Sequence, residues 1–307
     1  MIKSIMTSLV FLFSANFSQA APLCSSDLLT TPDSYASALS ICRSEIKKQD
    51  RNFLSSWIDE KESHCRLFYP SIFSEGYKDC LSDILKLTNE VLTCTSNAQR
   101  QDEAVAYDRK LLTDLIQDNG GEAEISEAVQ KSFADLVKST ELKYNFRFSP
   151  SWSLSAYQSS VLNAHAGAGG EIVISAAFWK GPIEFTKDEI SAILAHEIAH
   201  VLKGHSLSLG CLALEWVGSG FTIEEVSKIF REDFSSASVR GQVWSEKSQS
   251  YEVEADKVAT SILATAGIDP RSMARALEKL KPKDSGGFSS GSHPTFDFRI
   301  RNALEGL

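Results

Sequence analysis

The chain has 307 residues, 43% of them hydrophobic and 23% charged, with 17 Gly and 8 Pro. This is close to the average of globular proteins and excludes disordered, collagen-like and coiled-coil classes. The 31 Lys and Arg against 40 Asp and Glu give a formal net charge of -9 with no basic run, which speaks against a nucleic-acid partner.

Residues 1–20 read as a signal peptide. Lys3 supplies the positive start, Ile5 to Phe13 an apolar stretch too short to span a bilayer, and Ser18-Gln19-Ala20 a small-x-small cleavage site. The longest later apolar stretch, 207–221, carries Glu215 and is also too short, so no transmembrane segment is expected in the mature chain. An exported protein follows, with the periplasm as the expected address and secretion as the alternative. Export gives meaning to Cys24, Cys42, Cys65, Cys80, Cys94 and Cys211, which contain no CxxC pair and so read as disulfide staples. At least two bridges are expected among the first five. Cys211 is either the long-range partner of the odd one or a buried free thiol. Pro22 and Leu23 argue against a lipid on Cys24, because a lipoprotein signal needs small residues there.

Residues 21–100 form a helical, cysteine-containing region, and 101–307 a second unit. Apolar residues recur at three- and four-residue steps from Pro32 to about Lys138, for example Leu81, Ile84, Leu85, Leu87, Val91 and Leu92. Tyr69-Pro70-Ser71, the polar 95–102 and Asn119-Gly120-Gly121 interrupt them. The period-two texture of 144–148 is extended, and 161–164 and 171–178, on either side of Gly167-Ala168-Gly169-Gly170, read as a small antiparallel sheet. Thr186 with Glu189 makes a capping box for an amphipathic helix ending near Gly204. A second helix is expected from about Glu246 to Ala266, closed by Gly267. A third begins at Asp269-Pro270, and a Gly/Ser loop over 284–292 precedes the C-terminal segment.

The first of these helices carries His196-Glu197-Ile198-Ala199-His200, the pattern HExxH. Histidines at i and i+4 project from one face and can reach a single zinc at about 2.0–2.1 Å. Glu197 beside them can take a proton from a water whose pKa zinc lowers to about 7. A metzincin would need a glycine at 203 and a histidine at 206, where this chain has Lys203 and Ser206. His205 reads as a charge at the helix C-terminus. Glu252 and Asp256, at i and i+4 with small Ala255 and Ala259 beside them, offer a third ligand and a carboxylate to hold a ligand histidine.

From about Tyr144 onward the chain resembles the M48 peptidases, which are gluzincins. The residues that carry the likeness are Asn163-Ala164-His165-Ala166 with Gly169-Gly170, Ile193 to His200, Glu252-x-x-Ala255-Asp256, Gly267-Ile268-Asp269-Pro270, and Ser292-His293-Pro294 with Arg299. The chain departs from the family's pattern at His165, where a large apolar residue is usual, and at 248–250, which lack an Arg. The resemblance implies an α+β, predominantly helical metallopeptidase core, one zinc per chain on His196, His200 and Glu252, and catalysis by Glu197. For Asp256 it carries two roles, proton donor or support of a ligand, of which the second is preferred on physical grounds. It also implies that His293 and Arg299 return to the zinc. Either could donate to the oxyanion of a tetrahedral intermediate, and His293 could alternatively ligate zinc in a resting state. Strand 171–178 is expected at the sheet edge, receiving extended substrate by backbone pairing. The expected function is a zinc metalloendopeptidase acting on unfolded or misassembled envelope proteins. The rival is a chaperone-like, partner-binding protein with a gated or inactive peptidase half.

Overall fold

The helical periodicity of the first half folds as α1 (Pro32–Lys48), α2 (Asn52–Phe68), α3 (Glu75–Thr95), α4 (Ala98–Asp118) and α5 (Glu127–Lys143). The computed structural model describes Cys24 and residues 29–48, 52–95, 97–144, 150–218, 220–233, 239–281 and 294–305. The expected signal peptide, the expected extended stretch at 145–148 and His293 lie outside the described residues.

Helices α1 to α3 bury Leu39, Ile46, Ile58, Tyr77, Leu81 and Leu85 among themselves. Three disulfides fasten them. Cys24–Cys42 ties the segment ahead of α1 to that helix, Cys65–Cys80 joins α2 to α3, and Cys94–Cys211 reaches across 117 residues of sequence. Cys211 is therefore the long-range partner, and Cys24 has no thiol left to acylate. On a chain-entropy account, loops of 15 and 18 residues contribute about 3 kcal/mol each and one of 117 nearer 5.

A mixed three-stranded sheet follows: β1 (Ser153–Tyr157), β2 (Ala164–Ala166) and β3 (Glu171–Ser175), in the order β1-β3-β2. β1 runs parallel to β3 and β2 antiparallel to it, so the expected purely antiparallel sheet is corrected. β1 is not among the sequence expectations. β3 ends at Ser175, where 177–180 turn into the short helix α6 (Ala177–Lys180), and it is the central strand, not the edge. Its continuous Ile172-Val173-Ile174 run, buried on both faces, is the signature of an internal strand.

The capping box forms as expected and opens α7 (Lys187–Lys203), which Gly204 ends at φ 62, a left-handed conformation that glycine adopts without a side-chain clash. The chain re-enters a helix at once, as α8 (His205–Val217), followed by α9 (Ile223–Asp233) and α10 (Val239–Thr265). α10 starts earlier than its expected onset at Glu246. α11 (Ser272–Leu280) and α12 (Phe296–Leu304) complete the fold. Ala195, Ala199, Ala255 and Ala259 are fully buried where α7 meets α10, letting the two backbones approach. No helix among the described residues is long and apolar enough to cross a membrane.

Candidate metal centre

The rings of His196 and His200 stand one turn apart on the buried face of α7, with their Nε2 atoms 3.0 Å from each other. Glu252 comes from α10 with Oε2 3.4 Å from His196 Nε2 and Oε1 3.5 Å from His200 Nε2. Bonds of about 2.0–2.1 Å in a tetrahedral site separate the donors by roughly 3.3 Å, so the three atoms fit one zinc ion without rearrangement.

The donors are themselves held. Asp256, with no exposed surface, lies with Oδ1 2.9 Å from His196 Nδ1. Arg299 from α12 donates from Nε to Asp256 Oδ2 at 2.8 Å and from Nη2 to Oδ1 at 2.7 Å, while its Nη1 lies 3.1 Å from Glu252 Oε2. All three guanidinium nitrogens thus face carboxylates. This arrangement suits charge neutralisation better than the oxyanion contact the sequence raises for Arg299. Burial opposes charge on His196, but Asp256 and Glu252 override it and bring the imidazole up to about 10. Burial, reinforced by the His196 charge, pushes His200 well below the usual histidine range. The same two carboxylates raise Arg299 despite burial, so it stays charged at any accessible pH.

These groups open on a cleft of about 750 Å³ lined by His196, Glu197, His200, Glu252 and Arg299, with β2 along one wall. Glu197 is 8% exposed, and its charge adds to the burial that raises the Tyr157 phenol. The lining also includes the apolar Phe178, Ile193, Met273, Leu277, Leu280 and Phe296. His165, which departs from the family pattern, stands on β2 and lines the cleft.

Two features escape the sequence. His205 does not end α7. It opens α8, is 2% exposed, and packs with Nδ1 2.9 Å from His200 Nδ1. Asp108 of α4 is the other. It accepts from Ala168 N at 2.8 Å and from Ser206 Oγ at 2.6 Å, tying the β2–β3 turn to the start of α8. Next to it, Arg109 donates to Glu171 Oε1 at 2.6 Å. A Cβ on Gly169 would meet Glu171 Oε2 at 2.6 Å and Val105 Cγ1 at 2.9 Å, so a side chain there would force these two neighbours to shift.

Two imidazoles from α7 and a carboxylate from α10 make a donor set suited to zinc in a hydrolase. Residues 126–306 match the profile of peptidase family M48, and the chain belongs to that family. It aligns with the beta-barrel assembly-enhancing protease of Escherichia coli (strain K12) at 26% identity over 159 residues, covering 46% of this chain and 31% of that protein. With the metalloprotease LoiP of the same strain it shares 28% over 148 residues, 45% of this chain and 56% of LoiP. The beta-barrel assembly-enhancing protease of Yersinia pestis aligns at 27% over 159 residues, 46% of this chain and 32% of that protein. The chain thus spans from just under a third to just over half the length of these relatives.

Proposed function

We propose that this protein is a zinc-dependent metalloendopeptidase, exported to an oxidising compartment of the cell envelope, that hydrolyses peptide bonds of unfolded or misassembled proteins. The observation that carries the reading is the convergence of His196, His200 and Glu252, 3.0 to 3.5 Å apart, beside Glu197 in the cleft. In this reading the two Nε2 atoms and the Glu252 carboxylate hold one zinc per chain. Zinc held there supplies Lewis acidity toward the scissile carbonyl and the attacking water. Glu197 takes the proton from that water on its carboxylate and passes it to the departing amide nitrogen. The Asp256 carboxylate, 2.9 Å from His196 Nδ1, stands behind this ring, so that Nε2 is left for the metal. Arg299 places its positive charge between the Asp256 and Glu252 carboxylates, which lie side by side in a buried site.

The substrate class follows from β2, which takes over the role expected of 171–178. In the order β1-β3-β2 it is an edge strand, and its residues line the cleft. An extended polypeptide can add to that edge through backbone hydrogen bonds, which demand little of its sequence but require that it be unfolded locally. The apolar part of the cleft lining suits side chains that a folded protein hides. Three disulfides support an oxidising compartment. An envelope quality-control role is in keeping with the name of the beta-barrel assembly-enhancing relatives.

Purified protein incubated with unfolded casein should generate internal fragments, a chelator should abolish them, and zinc should restore them. Glu197→Gln should keep its zinc and lose about 10²-fold or more in rate. Substrate binding without cleavage by zinc-loaded protein would favour the partner-binding alternative.

A further inference from the structure

The two proposed ligand histidines are held differently. Behind His196 stands a carboxylate, but behind His200 stands another histidine: His205 Nδ1 lies 2.9 Å from His200 Nδ1. Two imidazole nitrogens at that distance share one proton, so one donates and the other accepts. If Nε2 of His200 faces the metal, its Nδ1 carries the hydrogen and donates to His205 Nδ1. His205 must then keep its own hydrogen on Nε2, and that atom faces Glu254 Oε2 at 3.3 Å. The tautomers are consistent along the whole chain of contacts.

The surroundings fix the arrangement. Tyr251 stacks on the His205 ring with centroids 4.4 Å apart and planes 12° from parallel. Lys203 Nζ lies 3.5 Å from Glu254 Oε1. His205 and Tyr251 are each 2% exposed, so the ring is packed from the side as well as bonded at both nitrogens. Glu252, Glu254 and Asp256 alternate along one stretch of α10. The first approaches both Nε2 atoms, the last supports His196 directly, and the middle one reaches His200 through His205.

We propose that His205 and Glu254 are positioning residues that orient His200 through a His200–His205–Glu254 hydrogen-bond relay and thereby set the zinc affinity of the site. The inference rests on the reading of His200 as a zinc ligand. Partners that fix the tautomer and direction of a ligand histidine are typically worth about 10- to 100-fold in metal affinity.

The test is zinc affinity of the full chain, measured by competition with a chromophoric chelator, with folding checked by circular dichroism. His205→Leu keeps the bulk against Tyr251 but has no hydrogen bond to offer, and should bind zinc about 10- to 100-fold more weakly. His205→Gln retains one acceptor and one donor and should recover most of that loss. Because Glu254 acts through His205, adding Glu254→Gln to His205→Leu should cost nothing further, whereas adding Asp256→Asn should. If His205→Leu fails to fold, Glu254→Gln alone decides, since it leaves the stacked ring in place and should weaken zinc binding toward the lower end of that range. Wild-type affinity in a folded His205→Leu, equal losses in the Leu and Gln variants, or additivity of His205→Leu with Glu254→Gln would each overturn the relay. A wild-type protein that takes up no zinc would overturn the metal-centre reading itself, and zinc in the wild type with no effect of His205→Leu would overturn the relay alone.

Discussion

The N-terminal helices and the metal-site helices are stabilised by opposite means. Between α1 and α3 the buried polar side chains among the described residues are Thr88 and Thr95, each donating to a backbone carbonyl of its own helix, and the rest of the interior is apolar and stapled by disulfides. Around α7 and α10 the interior holds His196, Glu197, Lys203, His205, Glu252, Asp256 and Arg299. A buried charge network is costly to desolvate and adds little net stability, so it needs a rigid frame. The first region provides part of that frame. Leu212 and Tyr251 belong to its apolar core, Tyr251 stacks on His205, and Cys94–Cys211 ties α3 to α8. The lesson is that the part with no recognisable chemistry braces the part that has it.

The largest effects should come from the charged half. His196→Ala, His200→Ala and Glu252→Ala each remove one of the three proposed bonds to zinc, and metal analysis of purified protein should find the site emptied; stoichiometric zinc in any of them would break the ligand assignment. Arg299→Ala should come next, since it leaves the buried Asp256 and Glu252 carboxylates without their countercharge. The expected loss is about 3–5 kcal/mol in urea unfolding, with weakened zinc binding. A neutral outcome would mean that the buried charge network is not costly to leave unbalanced.

The stapled half should respond in proportion to loop length. Replacing Cys94 and Cys211 by Ala should cost about 5 kcal/mol, against about 3 for replacing Cys65 and Cys80. The first pair should also lower peptidase activity, because it loosens α8, where His205 sits. Equal denaturation midpoints and equal activities for the two double variants would erase the distinction.

The smallest effect concerns Asp108, at the seam between α4, α8 and the β2–β3 turn. Burial raises its carboxyl to about 6, against the lowering influence of Ser206 and Ala168. With a folded pKa above its unfolded value of 3.8, the folded state binds the proton more tightly, so this contribution is fully present below pH 3.8 and is lost as pH rises to about 6. Asp108→Asn removes the titration. Its melting temperature relative to wild type should therefore rise between pH 4 and pH 6, by an amount corresponding to at most about 1–3 kcal/mol. A constant difference across that range would show that Asp108 does not titrate there.

What the sequence determined by itself was local. The Thr186 and Glu189 capping box, the Gly204 stop and the pairing of His196 with His200 all follow from spacings within a single helix, where 3.6 residues per turn fixes direction. Glu252 and Asp256 were legible for the same reason, once a second helix was granted. Tertiary structure decided the rest. Which cysteine Cys211 meets depends on how α3 docks on α8, because loop-closure entropy varies too slowly with length to select a pairing. β3 is central because β1, some twenty residues earlier, pairs alongside it, and no residue within β3 announces that partner. His205 misled for a geometric reason. Continued along α7 it would point away from the ligand face, but Gly204 at φ 62 breaks the helix and turns α8 back, laying the ring against His200. A left-handed residue redirects everything after it, and only packing against Tyr251 and Glu254 shows where the new direction leads.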